Sequence, residues 1–234
     1  MSENPGDKVP IQEVYGVGIN KGNINNSNFA KMIDFRLIDD ETEINCARSL
    51  LHDVLIEEEQ WTPEKNNPSG LYVKTLENGK KILKDDYDDH ADWVGGYVKN
   101  ELCVCFRSLR AKDGKYELEH YFDFPPWIRE IDNKKELNRL AIKKDIRKNI
   151  AVVFETIKYA AILNLEQEAF NFTTTNKLNK IFNLVGIQRS SEPPFKYHDN
   201  DDSEVELFTM TNQQAKKVIA SCDEFLKRKN RRGK

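Results

Sequence analysis

Apolar positions along this chain recur with two periods, and the changes of period mark out the elements. "MIDFRLI" (32–38) alternates as a short strand. Over residues 41–59, Ile44, Leu51, Val54 and Leu55 fall at helical spacing behind Asp40, a residue suited to capping a helix. The loop "WTPEKNNPSG" is dense in turn formers. Residues 91–110 read as two apolar strands joined at Lys99-Asn100, a hairpin. "KYELEHYFDFPPW" alternates as an extended segment up to Pro125, and "ELNRLAIKK" follows as a strand. Residues 149–165 form a strongly apolar helix, "EAFNFTTT" a strand, "NKLNKIFNLVGI" a helix stopped at Gly186, "EVELFTM" a last strand, and 212–228 an amphipathic helix.

Strand, helix, long loop, hairpin, strand, helix, strand, helix, strand is the order of one α/β domain with a central mixed sheet flanked by helices. The folded region is expected over 31–226. Residues 1–30 hold few large apolar side chains and read as a flexible arm, and "KRKNRRGK" (227–234) reads as a basic, solubilising tail.

Composition mainly excludes. Charged residues make up 32% and hydrophobic ones 38% of 234 residues, as expected of a soluble protein. A net charge of -3 gives no general attraction to nucleic acid, so no nucleic-acid partner is expected. No apolar run reaches the roughly 18 residues of a membrane span, and the first residues lack the basic-then-apolar order of a secretory signal. The four cysteines fall within strand and helix patterns and read as free thiols of a cytoplasmic protein. A metal site would require tighter Cys/His clustering. The acidic run "YHDNDDSE" (197–204) lacks the glycine and distal glutamate of a helix–loop–helix calcium site and reads as a solvated loop.

The chemistry concentrates around residues 134–149, "KKELNRLAIKKDIRKN". Here an apolar strand runs through a basic turn into a helix, where phosphate-binding turns usually carry glycine. The chain has no glycine between Gly114 and Gly186. Lys143, Lys144, Arg147 and Lys148 offer side-chain charge at the start of the helix, or the segment is a solvated basic turn. Glu136 is placed to accept a proton at the mouth of the strand. Arg139 lies three residues on, so a straight strand would put the two on opposite faces. They share a site only across a bulge; otherwise Arg139 is a structural partner for Asp85 or Asp88. His120 is a second candidate base or a structural histidine.

Five features in order resemble the GNAT acyltransferase fold, and within it the acyl-homoserine-lactone synthases and long-chain N-acyl amino acid synthases. They are Arg48 in the first helix, Trp61 in the following loop, "DDYD" (Asp85 to Asp88), Arg107 late in the hairpin, and the Glu136/Arg139 pair in "ELNR". The resemblance covers roughly residues 32–210. Asp85 and Asp88 are preferred over Asp86 and Asp89, which have the same spacing, because Tyr87 then occupies the aromatic position. The resemblance implies N-acyl transfer from an acyl-phosphopantetheine thioester, carried by acyl carrier protein or coenzyme A, to a small amine. That acceptor is either S-adenosylmethionine or a free amino acid, and no cofactor stays bound. It implies Glu136 and Arg139 as catalytic, Arg48, Trp61, Asp85, Asp88 and Arg107 around the acceptor, and Leu140, Ala141 and Ile142 with the basic turn around the donor. An acidic acyl carrier protein would be drawn to that turn by charge complementarity. A domain of this fold that only binds an acyl ligand or carrier is the alternative.

Overall fold

The computed structural model describes residues 33–63, 66–197 and 204–232. The expected arm over 1–30 and nearly all of the acidic run at 197–204 lie outside the described residues.

A mixed sheet of seven strands forms the frame, in the spatial order β1-β4-β5-β6-β7-β9-β8. β1 is Asp34–Ile38, β4 Ala91–Val98, β5 Glu101–Leu109, β6 Lys134–Ile142, β7 Phe170–Thr175, β8 Gln188–Arg189 and β9 Glu206–Met210. β2 (Tyr72–Thr75) and β3 (Lys81–Lys84) make a separate ribbon that the periodicity did not show, since β2 is exposed throughout. The β4–β5 hairpin turns at Lys99 and Asn100, both with positive φ (50° and 67°), the two-residue connection whose twist matches that of its strands.

Helices cover both faces. α1 (Glu41–His52) starts on Asp40, whose carboxylate accepts from the N–H groups of Thr42 and Glu43 at 2.9 and 3.1 Å. It packs Ala47, Leu50 and Leu51 against Trp93, Cys105 and Ala141. The helix expected to continue to 59 instead widens into a π-helical turn, Asp53–Glu58. On the other face lie α3 (Ile150–Glu166) and α5 (Asn212–Arg232). α3 is apolar on most of its circumference because it is enclosed by the sheet and by α5, with Phe154 stacked on Phe225 at 3.7 Å. α5 buries the stripe Ala215, Val218, Cys222 and Leu226. Its backbone runs through most of the segment expected as a basic tail.

The segment expected to be extended, 115–127, is not. It folds as a 3-10 turn at Glu117–His120 and a short helix α2, Pro126–Arg129. Reciprocal capping between Tyr116 and Glu119 closes the first, and the fixed φ of Pro126 at the first helical position starts the second. α4 (Asn179–Val185) ends at Gly186, whose φ of +86° is the left-handed conformation of a helix stop.

One departure from regular pairing shapes the centre of the molecule. β6 and β7 run parallel but pair only at Lys134–Glu136 with Phe170–Phe172. Beyond that point β6 stays on β5 as far as Ile142, and β7 stays on β9 as far as Thr175. The two strands diverge and open the sheet.

Candidate active site

A cavity of about 390 Å³ occupies the opening between β6 and β7, within the size range of small-molecule sites. One end is polar, with Glu117, Tyr121, Glu136, Asn138 and Arg139. The rest of the wall is largely apolar, including Leu140, Ile157, Phe182, Ile187, Phe208 and Met210. Trp61 is half-buried, lines the cavity and packs against the α1 side of the core.

Arg107 organises the polar end. Its side chain is fully buried, and its guanidinium donates to both oxygens of Asp85, to Asp88 and to Glu117, each at 2.7 Å. Its Nε donates to the side-chain oxygen of Asn138 at 2.8 Å. Arg48 reaches Asp88 from α1 at 2.9 Å and also holds the exposed Glu41 at 2.7 Å. The segment after β3 places Asp85, Tyr87 and Asp88 inside and leaves Asp86 and Asp89 outside. Burial raises the carboxyls of both inner aspartates. At Asp85 the charges of Arg107 and Arg139 outweigh that and hold it below the usual range. At Asp88 burial and the neighbouring Asp85 charge win, and it stays raised. The guanidinium of Arg107 is correspondingly held more firmly protonated, its carboxylate partners overcoming burial.

Glu136 and Arg139 do meet at one site, and a bulge brings this about. Cys105 pairs with Ala141 and Arg107 with Asn138, so Arg139 and Leu140 together face Phe106 alone. Arg139 takes φ +56°, a left-handed value that only a bulge accommodates in a strand. Its Nη2 donates to Asp85 at 3.2 Å and to Glu117, while its Nε is buried without a partner.

Glu136 is surrounded differently. It accepts from the Leu118 N–H at 3.1 Å and from the Asn138 amide at 3.0 Å, and no arginine or lysine pairs with it among the described residues. Burial first, and then the Glu117 charge, push its carboxyl up to about 7. Glu117 and Asn138 were not singled out in the sequence. "ELEH" looks like strand alternation, and Asn138 sits unremarked inside "ELNR". His120 lies outside this constellation, exposed, with its Nε2 2.8 Å from the Tyr87 hydroxyl.

The basic turn is less available than its composition suggests. Arg147 is buried and paired with Glu58 at the end of the π turn, and Lys143 is paired with Glu101. Lys144 and Lys148 are exposed. Of the three apolar residues before the turn, Leu140 lines the cavity, whereas Ala141 and Ile142 are packed into the core on opposite faces of the sheet. Nearby, Glu59 lines the cavity and faces Lys177 at 3.7 Å. Burial raises the Glu59 carboxyl and lowers the Lys177 ammonium to about 8.

No protein-family model matches the chain, and no curated protein does. Solved structures do. FeeM, an N-acyl amino acid synthase from uncultured soil microbes, superposes with a TM-score of 0.57 at 11% identity, over 82% of this chain and 97% of that one. The acyl-homoserine-lactone synthase LasI gives 0.55 at 17% identity, over 77% and 90%. BjaI, a coenzyme A-dependent acyl-homoserine-lactone synthase solved with S-adenosylmethionine and isopentyl-CoA, gives 0.54 at 13%, over 82% and 90%. No helix among the described residues is long and apolar enough to cross a membrane. With its split β6–β7 sheet and helices on both faces, the chain has the GNAT-like fold of these acyl-transferring synthases.

Proposed function

We propose that the protein is an N-acyltransferase that moves a fatty acyl group from a phosphopantetheine thioester to a small amine bearing a carboxylate, an amino acid or S-adenosylmethionine. The observation that carries this is the position of Glu136. A carboxyl without a cationic partner, raised to about 7, stands at the polar end of a cavity whose remaining wall is apolar. A general base works best when its pKa lies near the working pH.

In this reading the acyl chain lies along the apolar wall and the acceptor enters at the polar end. Glu136 takes a proton from the acceptor's ammonium group. The neutral amine attacks the thioester carbonyl, forming the C–N bond. The tetrahedral intermediate then collapses with cleavage of the C–S bond, its nitrogen losing a second proton to the departing thiolate, and Glu136 releases the first proton to water. The bulged backbone at Arg139 and Leu140, out of register with β5 and beside the cavity, is the part of β6 suited to donating to the oxyanion. The partnerless Nε of Arg139 offers a donor for the acceptor's carboxylate. Arg48, Arg107, Asp85 and Asp88 hold the wall behind these groups. Lys144 and Lys148 are the exposed charges that remain for a phosphate or an acidic carrier protein. FeeM is by name an N-acyl amino acid synthase, and BjaI was solved with S-adenosylmethionine, which supports the acceptor class.

The test is incubation of the purified protein with long-chain acyl-carrier protein or acyl-CoA and a pool of amines. Free thiol is followed, and organic extracts are read by mass spectrometry. Thiol release that depends on the amine, with an N-acyl product, is the expected result. Binding of the acyl donor without amine-dependent thiol release would leave a domain that only binds acyl ligands.

A further inference from the structure

We propose that Glu117, through the Asn138 amide and the arginines it occupies, is the positioning residue that makes Glu136 the proton carrier of this site. The inference depends on the acyl-transfer reading for its kinetic consequence and not for its spectroscopic one.

The argument starts from charge. Four carboxylates are buried together here, Asp85, Asp88, Glu117 and Glu136, and three guanidiniums face them, Arg48, Arg107 and Arg139. Asp85 is shared by Arg107 and Arg139, Asp88 by Arg48 and Arg107, and Glu117 by Arg107 and Arg139. Every guanidinium is therefore spent before Glu136 is reached. A buried carboxylate without a counter-charge takes a proton in preference to remaining ionised. The proton thus falls to Glu136.

Geometry ties this outcome to Glu117. The Asn138 oxygen accepts from Arg107 Nε at 2.8 Å, which fixes the amide so that its nitrogen points at the two glutamates. That nitrogen donates to Glu117 at 2.8 Å and to Glu136 at 3.0 Å. The same 3-10 turn that begins with Glu117 supplies the Leu118 N–H to the other oxygen of Glu136. Arg107 on β5 and the hydroxyls of Tyr87, Tyr116 and Tyr197 also couple to the Glu136 charge, and these tyrosines are themselves held protonated by burial. Glu117 is the only carboxylate that shares a hydrogen-bond donor with Glu136 among the described residues.

Glu117→Gln keeps the shape and removes one negative charge. Three guanidiniums then face three carboxylates, and Glu136 no longer needs a proton for neutrality. Infrared titration of the wild-type protein should show a protonated carboxyl band that disappears as pH rises through neutrality and is absent in Glu136→Gln. In Glu117→Gln the same band should titrate at least one pH unit lower, and the acid limb of kcat/KM should move down with it. Half a unit below the wild-type midpoint, a one-unit shift raises kcat/KM about threefold relative to its plateau. Glu117→Asp, which keeps the charge, should titrate close to wild type. The proposal is overturned if the wild-type band for Glu136 titrates in the ordinary carboxylate range. It is overturned equally if Glu117→Gln lowers the melting temperature with the titration unmoved. Should Glu117→Gln not fold, the comparison of wild type, Glu136→Gln and Glu117→Asp decides, because a Glu136 band that titrates normally in any folded form refutes the charge argument. Absence of acyl transfer with every donor would remove the kinetic limb and refute the proposed function, while the infrared result would stand by itself.

Discussion

Removing Asp88 and Arg107 singly and together probes the arrangement most directly. Their contact is 2.7 Å long, and both side chains are almost completely inaccessible to water. Asp88→Ala leaves Arg48 with the exposed Glu41 as its one carboxylate among the described residues, beside the Asn45 amide oxygen, and takes one of three carboxylates from Arg107. Arg107→Ala strips the cation shared by Asp85, Asp88 and Glu117. Breaking one partner of a buried pair costs about 3–5 kcal/mol because the other charge is left uncompensated in low dielectric. Against a total stability of about 5–15 kcal/mol this is a large fraction, and for a chain of this length each kcal/mol corresponds to roughly 2–4 °C in melting temperature. Each single variant should therefore melt roughly 6–20 °C lower. The second change removes a charge the first has already orphaned, so the double variant should cost less than the sum by about 0.5–3 kcal/mol. The assay is urea unfolding followed by circular dichroism, with fluorescence as a second probe of two-state behaviour. Arg36→Ala serves as a control, because it breaks a 2.5 Å ion pair with Glu43 that is exposed to solvent, and it should leave stability nearly unchanged. Additive single effects, or costs no larger than the Arg36 control, would show that the buried cluster does not hold the polar end together.

Three further outcomes are expected. Glu136→Gln should lower turnover about 10²- to 10⁴-fold with the fold intact. Because the folded carboxyl is raised to about 7 from an unfolded value near 4.5, wild-type stability is fullest below the unfolded pKa and declines as pH rises toward and through 7. Denaturant titrations at pH 5 and 8 should thus show the Gln variant gaining on wild type by up to about 3 kcal/mol at the higher pH, and an unchanged difference would place the proton elsewhere. Charge reversal at Lys144 and Lys148 should reduce use of acyl carrier protein more than of acyl-CoA, by a margin that shrinks with salt over a Debye length of about 8 Å, whereas Arg147→Ala should mainly lower stability because Arg147 is committed to Glu58. Phe182→Ala should enlarge the apolar part of the cavity and lengthen the preferred acyl chain, read from the product mass profile, at a core cost of about 3–5 kcal/mol.

Much of the fold was legible in the chain because its evidence is local. The strand alternation around Lys99-Asn100, the largely apolar α3, the stripe on α5 and the stop at Gly186 each show as a pattern among near neighbours in sequence. The ordered spacing of Arg48, Trp61, the aspartate box, Arg107 and Glu136/Arg139 likewise pointed to the fold family without any coordinate. Tertiary structure alone decided how these groups are used. Arg48 meets Asp88 across 40 residues, and Arg147 meets Glu58 across 89. No local pattern encodes which carboxylate a given arginine takes, so the basic turn looked freer than it is. The alternation in "KYELEH" could not reveal that reciprocal capping turns it into a 3-10 turn, because a polar residue in alternation faces water in one conformation and a buried site in the other. The left-handed bulge at Arg139 was equally hidden, since a period of two is blind to a single extra residue. The sequence thus pointed to Arg48, Asp85, Asp88, Arg107, Glu136 and Arg139, but not to Glu117. The fold decided which of them are neutralised by one another, and left Glu136 as the one of the four buried carboxyls here that no cation pairs with among the described residues.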